Sequence, residues 1–330
     1  MRVLVTGGCG FIGYNFVNYL ISQNLGSLEV IVLDSLVSNT SRQNSDLLPE
    51  NVTFINSDIN EIENYSHILP GLDAVFNFAA ETHVDNSIFN PNLFIKSNVL
   101  GLSTLLQNCY KNDIKDFIHV STDEVYGSSE NKYFIEEDKL NPSSPYSASK
   151  ASAELICNAF SKTYDYKVKI VRPANNYGIF QQPEKLIPFS IANLINGGNI
   201  EIYGSGLNVR HWIHVDDTCE GIYTIFQKGD YGEAYNLGSD QYSTNIDLMK
   251  SLLEVLSLSE EKITFVPDRP GHDFRYAINI QKLLKLGWKP KKDIKKDLKD
   301  TVNWYIDNSE WWSESYKEII EKRKKRLNLY

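Results

Sequence analysis

Two short runs of this sequence carry side chains that can move protons. Tyr146-Ser-Ala-Ser-Lys150 sets a phenol and an ammonium at i and i+4, on one face of a helix. A cation beside a phenol favours the phenolate, which lowers the tyrosine pKa and makes it a general base. Upstream, Val120-Ser-Thr-Asp-Glu-Val-Tyr-Gly127 places a hydroxyl, Thr122, before two adjacent carboxylates, Asp123 and Glu124. One acid and one base side by side can act across a single elimination when their surroundings separate their pKa values. Each run also has a plain structural reading, a surface Tyr–Lys pair and a polar exit from a strand. A third run, Thr6-Gly-Gly-Cys-Gly-Phe-Ile-Gly13, reads either as Gly8-x-Gly10-x-x-Gly13 or as Gly7-x-x-Gly10-x-x-Gly13. Glycines at such spacing let the backbone approach a pyrophosphate in front of a helix N-terminus. Asp34, 21 residues beyond Gly13, is spaced to accept from adenosine ribose hydroxyls; its charge would repel a 2′-phosphate and so favours NAD. Asp58-Ile59 follows the next apolar run and reads as an adenine wall or, nearly as well, as a turn aspartate.

These groups need a frame that brings them to one edge. Strands are read at Arg2–Thr6, Glu29–Asp34, Val52–Asn56, Ala74–Asn77, Asp116–Ser121 and Lys167–Arg172. Helix-period segments lie near Ile12–Gln23, Ile95–Asn112 and Ser147–Tyr164. Strands alternating with helices predict crossover connections, and so a Rossmann-type, doubly wound parallel sheet in an α/β domain over residues 1–173. A segment near 209–238 is expected to return to it. After Pro173 glycines and aromatics become denser, which predicts a smaller substrate-binding domain over 174–330. Trp304, Tyr305, Trp311 and Trp312 read as packing. Lys322-Arg-Lys-Lys-Arg326 reads as the solvated basic end of a terminal helix.

The composition narrows the function classes. A net charge of −9 over 330 residues disfavours nucleic acid and anionic membranes as partners. No apolar run approaches the roughly 20 residues of a membrane-spanning helix. The opening Met-Arg-Val-Leu-Val reads as a buried strand rather than a secretory signal. Cys9, Cys109, Cys157 and Cys219 form no Cys-x-x-Cys pair, so the expectation is a cytoplasmic protein with reduced thiols. Asn51-Val-Thr53 and Asn64-Tyr-Ser66 are then chance sequons. His83, His211, His214 and His272 lack metal-ligand spacing, and no metal is expected.

Taken in order, the glycine run, Ala79-Ala-Glu-Thr-His83, the Thr122 run and Tyr-x-x-x-Lys resemble the extended short-chain dehydrogenases, and within them the dTDP-glucose 4,6-dehydratases. The likeness continues through Asn175-Asn-Tyr-Gly178, Pro183-Glu-Lys-Leu-Ile-Pro188, Arg210-His-Trp212 and Asp268-Arg-Pro-Gly-His272, nearly the whole chain. Ile179-Phe-Gln-Gln182 departs from the more aromatic, proline-containing family stretch, and Arg210-His-Trp from Arg-Asp-Trp. The resemblance implies NAD at Gly7, Gly10, Phe11, Ile12, Gly13, Asp34, Asp58, Ile59, Phe78, Ala79, Ala80, Thr82, Ser97, Tyr146, Lys150 and Asn176. It implies a nucleotide-sugar at Thr82, Thr122, Asn175, Lys185, Leu186, Glu201–Tyr203, Arg210, Asn245, Asp268, Arg269 and His272. Arg210 suits a pyrophosphate, or else pairs with Asp216 or Asp217.

The implied reaction begins when Tyr146, steered by Lys150 and Thr122, takes the O4 proton as C4 is oxidised. Glu124 then takes the C5 proton, Asp123 protonates the departing C6 hydroxyl, and C6 is reduced. The product is a 4-keto-6-deoxy sugar carried on thymidine or uridine diphosphate. The resemblance also implies a homodimer built on helices near Asn98–Lys111 and Ser147–Tyr164. Its rivals are a UDP-sugar 4-epimerase or decarboxylase, which lacks the Asp–Glu pair, and a non-catalytic NAD sensor, which would have lost the four reactive side chains.

Overall fold

Valine, isoleucine and leucine runs form β1 (Arg2–Thr6), β2 (Glu29–Asp34), β3 (Val52–Asn56) and β4 (Ala74–Asn77), with the predicted bounds. The chain continues through β5 (Asp116–Val120) and β6 (Val168–Pro173), each within a residue of expectation. The structure is a computed structural model and describes residues 1–129, 131–268 and 270–327; the side chains of Asn39 and of 324–327 fall outside that description. The intervening helices are α1 (Phe11–Ser22), α2 (Asn39–Asp46), α3 (Ile62–Tyr65), α4 (Val84–Phe89), α5 (Pro91–Phe94), α6 (Leu102–Lys111) and α7 (Pro145–Tyr164). Beyond β6 come β7 (Asn175–Tyr177), α8 (Leu186–Ile195), β8 (Ile200–Tyr203), β9 (Val209–His214), α9 (Val215–Lys228) and β10 (Ala234–Leu237). The chain ends through β11 (Tyr242–Thr244), α10 (Asn245–Val255), β12 (Ile263–Val266), α11 (Gln281–Leu284), α12 (Ile294–Asp307) and α13 (Ser309–Leu327).

Seven strands make one parallel sheet, in the order β10-β6-β5-β4-β1-β2-β3. Successive side chains on a strand face opposite ways, so a strand buried on both faces must be apolar throughout. Val3 and Val5 join Val30, Val32 and Phe76 in one core, closed by Phe16, Val17 and Leu20 of α1 and Ile222 of α9. Leu4, Ile31, Leu33 and Val75 join the opposite core with Leu105 and Leu106 of α6 and Cys157 of α7. The chain winds outward through β2 and β3, then restarts on the other side of β1 with β4. That reversal opens a crevice at the carboxyl ends of β1 and β4.

The sheet is completed late, because β10 pairs with β6. A three-stranded sheet, β11-β9-β7, and a parallel pair, β12-β8, lie over a third core. That core is built from Ile187 and Ile191 of α8, Leu252 of α10 and the aromatic cluster of α12 and α13. Trp304, Tyr305, Trp311 and Trp312 pack there as the sequence predicts.

Two segments differ from expectation. The single helix expected over Ile95–Asn112 is interrupted by a π-helical stretch, Ile95–Gly101. Its cause is Asn98, whose buried amide accepts from Glu81 N–H at 2.8 Å and donates to the Glu81 carbonyl at 3.0 Å and the Ser149 hydroxyl at 2.9 Å. Those bonds widen the turn and carry Lys96 and Ser97 to the crevice. At the C-terminus Arg323 is not a solvated cation. It lies 2.7 Å from Glu201 and stacks over Phe189 and Tyr203, because α13 lays that face on β8. No helix among the described residues is long and apolar enough to cross a membrane.

Candidate active site

A cleft of about 440 Å³ follows the carboxyl edge of the sheet. Its floor is the turn after β1. A side chain on Gly13 would meet the Gly7 carbonyl at 2.2 Å, and one on Gly7, at φ +66°, would meet Ala79 N at 2.6 Å. Gly8 instead faces Val32, away from the cleft. The glycines that line the cleft therefore follow Gly7-x-x-Gly10-x-x-Gly13. Gly10 caps α1 without a side-chain bond, so the first-turn amides stay open toward an anion. A dinucleotide pyrophosphate fits this turn.

Asp34 lines the cleft and also braces the turn, accepting from Cys9 N–H at 3.0 Å and Leu36 N–H at 2.9 Å. Burial raises its carboxyl pKa, and those two bonds pull it back. Asp58 likewise serves both readings, lining the cleft while accepting from the Asn60 N–H and side-chain amide, each at 2.8 Å.

Thr122 ends the run from β5. Its hydroxyl accepts from Glu124 N–H at 3.3 Å and caps a 3-10 turn, Asp123–Tyr126, that aims both carboxylates into the cleft. Asp123 is 3% exposed, and one of its carboxylate oxygens has no hydrogen-bond partner. Burial and then the charge of Glu124 hold its pKa well above the carboxylate range, which suits a neutral acid. Ser144 caps α7 through a reciprocal pair with Ser147, and Pro145 opens the helix, so Tyr146 and Lys150 lie on its buried first turns.

The pair does not behave as the spacing predicts. Tyr146 is pushed up rather than down, by burial first and then by the Glu124 and Asp123 carboxylates, although a Thr122 hydrogen bond opposes them. Lys150 donates instead to the Val120 carbonyl at 2.7 Å, and burial brings its pKa down to about 8. Beneath it, Glu154 and Arg172 form a buried pair at 2.7 Å. Arg172 also donates to Tyr126 at 2.5 Å, and Tyr126 donates to Asn236 of β10 at 2.8 Å. This network ties α7 to the strand exit.

Every expected cofactor residue borders the cleft, as do Thr122, Asp123, Glu124, Asn175, Lys185 and Leu186. Tyr203, Arg210, Asn245, Asp268 and His272 do not, and Arg269 lies outside the described residues. Arg210 is buried, donates to the carbonyls of Val209, Asp273 and Phe274, and stacks over Tyr276. Asp216 and Asp217 are engaged elsewhere, with His214 and Lys292 and with the amides of Lys291 and Lys292. Tyr203 and His272 make edge-on ring contact beside Asp268.

Sequence reasoning missed Ser38, Ser41, Lys96 and Gln181–Gln182 on the cleft wall. The one signal available was Ser38-x-x-Ser41, which forms a capping box. All four cysteines are buried and free, and no metal-binding cluster exists among the described residues.

Residues 4–301 match the family described as GDP-mannose 4,6 dehydratase. The chain is 43% identical to the low-salt glycan biosynthesis protein of Haloferax volcanii, over 94% of this chain and 100% of that protein. It is 40% identical to the dTDP-glucose 4,6-dehydratase of Streptomyces antibioticus, over 94% of each. Its fold matches the dTDP-glucose 4,6-dehydratase of Streptomyces venezuelae, crystallised with NAD and TYD bound, at a TM-score of 0.92 and 41% identity; 96% of this chain and 100% of that chain are covered. With likeness of this depth along nearly its whole length, the chain belongs to the nucleotide-sugar 4,6-dehydratases of the GDP-mannose 4,6 dehydratase family, extended short-chain dehydrogenases by fold.

Proposed function

We propose that this protein is an NAD-dependent hydro-lyase that converts dTDP-glucose to dTDP-4-keto-6-deoxyglucose. The observation that carries the reading is the buried Asp123–Glu124 pair, set in one cleft with Tyr146, Lys150 and the glycine turn. An epimerase has no C5–C6 elimination to catalyse and no use for that pair. NAD, held by the turn and by Asp34, supplies an electron-pair acceptor at C4 that serves again as donor at C6. Tyr146 takes the O4 proton, with Thr122 as its hydrogen-bond partner and Lys150 as the neighbouring cation. Glu124 removes the C5 proton once C4 is a ketone, and Asp123, whose pKa burial raises, gives its proton to the leaving C6 hydroxyl. Lys185 and Asn175 hold the sugar diphosphate side of the substrate. Tyr203, Arg210, Asn245, Asp268 and His272, which lie outside this cleft, and Arg269 are assigned the nucleotide by the family resemblance alone. The same reading puts the enzyme in the cytoplasm, where its thiols stay reduced.

Incubation with dTDP-glucose, UDP-glucose and GDP-mannose, with products identified by mass and NMR, tests the assignment. The expected product is the 4-keto-6-deoxyglucose nucleotide. One thymine methyl is worth about 1–3 kcal/mol, so UDP-glucose is expected to react with kcat/KM lower by about 10- to 200-fold. A C4 epimer without loss of the 6-hydroxyl would replace the dehydratase reading with an epimerase.

We also propose a homodimer through α6 and α7. These helices leave Tyr110, Leu155 and Tyr164 exposed, at 41%, 63% and 48%, and the π-helical stretch before α6 leaves Leu100 exposed, at 57%. Sedimentation velocity at micromolar protein is expected to return twice the 37.7 kDa chain mass; a single species at the chain mass would refute the dimer.

A further inference from the structure

Cys9 lies in the glycine turn, and both its backbone N–H and its carbonyl are held by side chains. Its N–H donates to Asp34 Oδ2 at 3.0 Å, and its carbonyl accepts from Asn44 Nδ2 at 2.9 Å. Asn44, on α2, is 1% exposed, and its own carbonyl oxygen accepts from Trp311 Nε1 at 2.8 Å. Trp311 belongs to the first turn of α13, 267 residues away in sequence, and sits edge-on against Phe180 and Trp304. Farther along, Tyr316 donates to Asn193 at 2.7 Å, and Arg323 reaches Glu201. One helix of 19 residues, about 28 Å long, therefore runs from the cofactor turn to β8.

We infer that Trp311 and Asn44 are positioning residues for NAD, acting through the Cys9 peptide. This rests on the reading that the Gly7–Gly13 turn holds NAD. The open amides that begin α1 follow directly after Cys9, so the Cys9–Gly10 peptide sets where they point. Asn44 holds that peptide through the Cys9 carbonyl, and Asp34 holds the preceding one through the Cys9 N–H. Asn44 is itself fixed because Trp311 satisfies the amide oxygen. Without the indole N–H the side chain is free to rotate, and the Cys9 carbonyl loses its donor. Preorganised donors hold an anion better than donors that must be ordered on binding. An enzyme that oxidises and reduces in the same turnover gains from never releasing its cofactor, and this three-residue chain serves that need.

The test measures NAD release rather than turnover. Trp311→Phe keeps an aromatic ring in the cluster and removes only the donor. Asn44→Asp keeps the acceptor for Trp311 but loses the donor to Cys9. Trp312→Phe is the control, since it deletes an equivalent bond, from Nε1 to the Tyr305 carbonyl at 2.7 Å, on the same helix. Each protein is loaded with NAD and desalted, and dissociation is followed by chromatography of the retained dinucleotide. Losing a buried hydrogen-bond partner should speed release by about tenfold in Trp311→Phe and in Asn44→Asp. Trp312→Phe should match wild type within a factor of about two. Equal release from the two tryptophan variants would overturn the inference and leave α13 as scaffold. Should Trp311→Phe fail to fold, Asn44→Asp against Trp312→Phe decides in the same way. Wild-type protein that takes up no NAD would instead overturn the cofactor reading, a distinct result.

Discussion

Glu124→Gln protein should oxidise its substrate and go no further. The amide fills the space of the carboxylate but cannot take the C5 proton, whereas Tyr146, Lys150 and Thr122 keep the groups that act at O4. Bound 4-keto sugar and reduced nicotinamide should accumulate together, and the latter is read by its near-ultraviolet absorbance. Removing a positioned base costs about 10²–10⁴ in rate, so elimination should fall by that factor. Wild-type enzyme in D2O should place deuterium at C5 of the product, because the abstracted proton exchanges with solvent. A deuterium placed on C4 of the substrate should reappear at C6, since that atom never meets solvent. Turnover of Glu124→Gln at the wild-type rate would show that the carboxylate pair is only a polar exit from β5.

Tyr146→Phe should fail earlier. With no phenolic oxygen to accept the O4 proton, C4 oxidation itself is lost. Neither 4-keto sugar nor reduced nicotinamide should appear, and the rate should again fall by about 10²–10⁴. The two variants therefore separate by what they accumulate rather than by how slow they are. Burial and two neighbouring carboxylates hold the Tyr146 phenol above its usual range, so it is protonated in the free protein at neutral pH. Accumulation of oxidised sugar on Tyr146→Phe would remove the phenol from the first step and leave Thr122 or a water as the base.

Most of what was legible came from residues whose burial or backbone demands admit few alternatives. β1, β2 and β4 match their predicted bounds because a strand covered on both faces is apolar through its middle, and the run stops where polarity returns; β3, at the sheet edge, shows only in its Val-x-Phe-Ile run. The glycine turn, Thr122–Glu124 and Tyr146–Lys150 stood out by local spacing, but only their order along the chain, through its likeness to a known family, gave them roles. α2 was not, since Asn-Thr-Ser-Arg-Gln-Asn-Ser-Asp has no apolar stripe. Its order comes from the Ser38 cap and from Trp311, far away in sequence. The π-helical turn at Asn98 depends on partners in β4's exit loop and in α7. The upward shift of Tyr146 depends on what covers it, and Arg323 found Glu201 only because α13 folds back across β8. Tertiary placement decides such features, and local pattern carries no trace of them.

The pairing of β10 with β6 also sets the order of events during synthesis. β6 ends at Pro173, but the strand that covers its edge is not made until Leu237. Asn236 on that strand completes the buried chain that runs through Tyr126 and Arg172 to Glu154. At about 5–20 residues per second, a ribosome leaves the nascent sheet with a bare edge for several seconds. Throughout that interval an Arg–Glu pair destined for the interior is still open to water. The amino-terminal half therefore cannot finish folding as it emerges, and it depends on a segment encoded well beyond its own last strand.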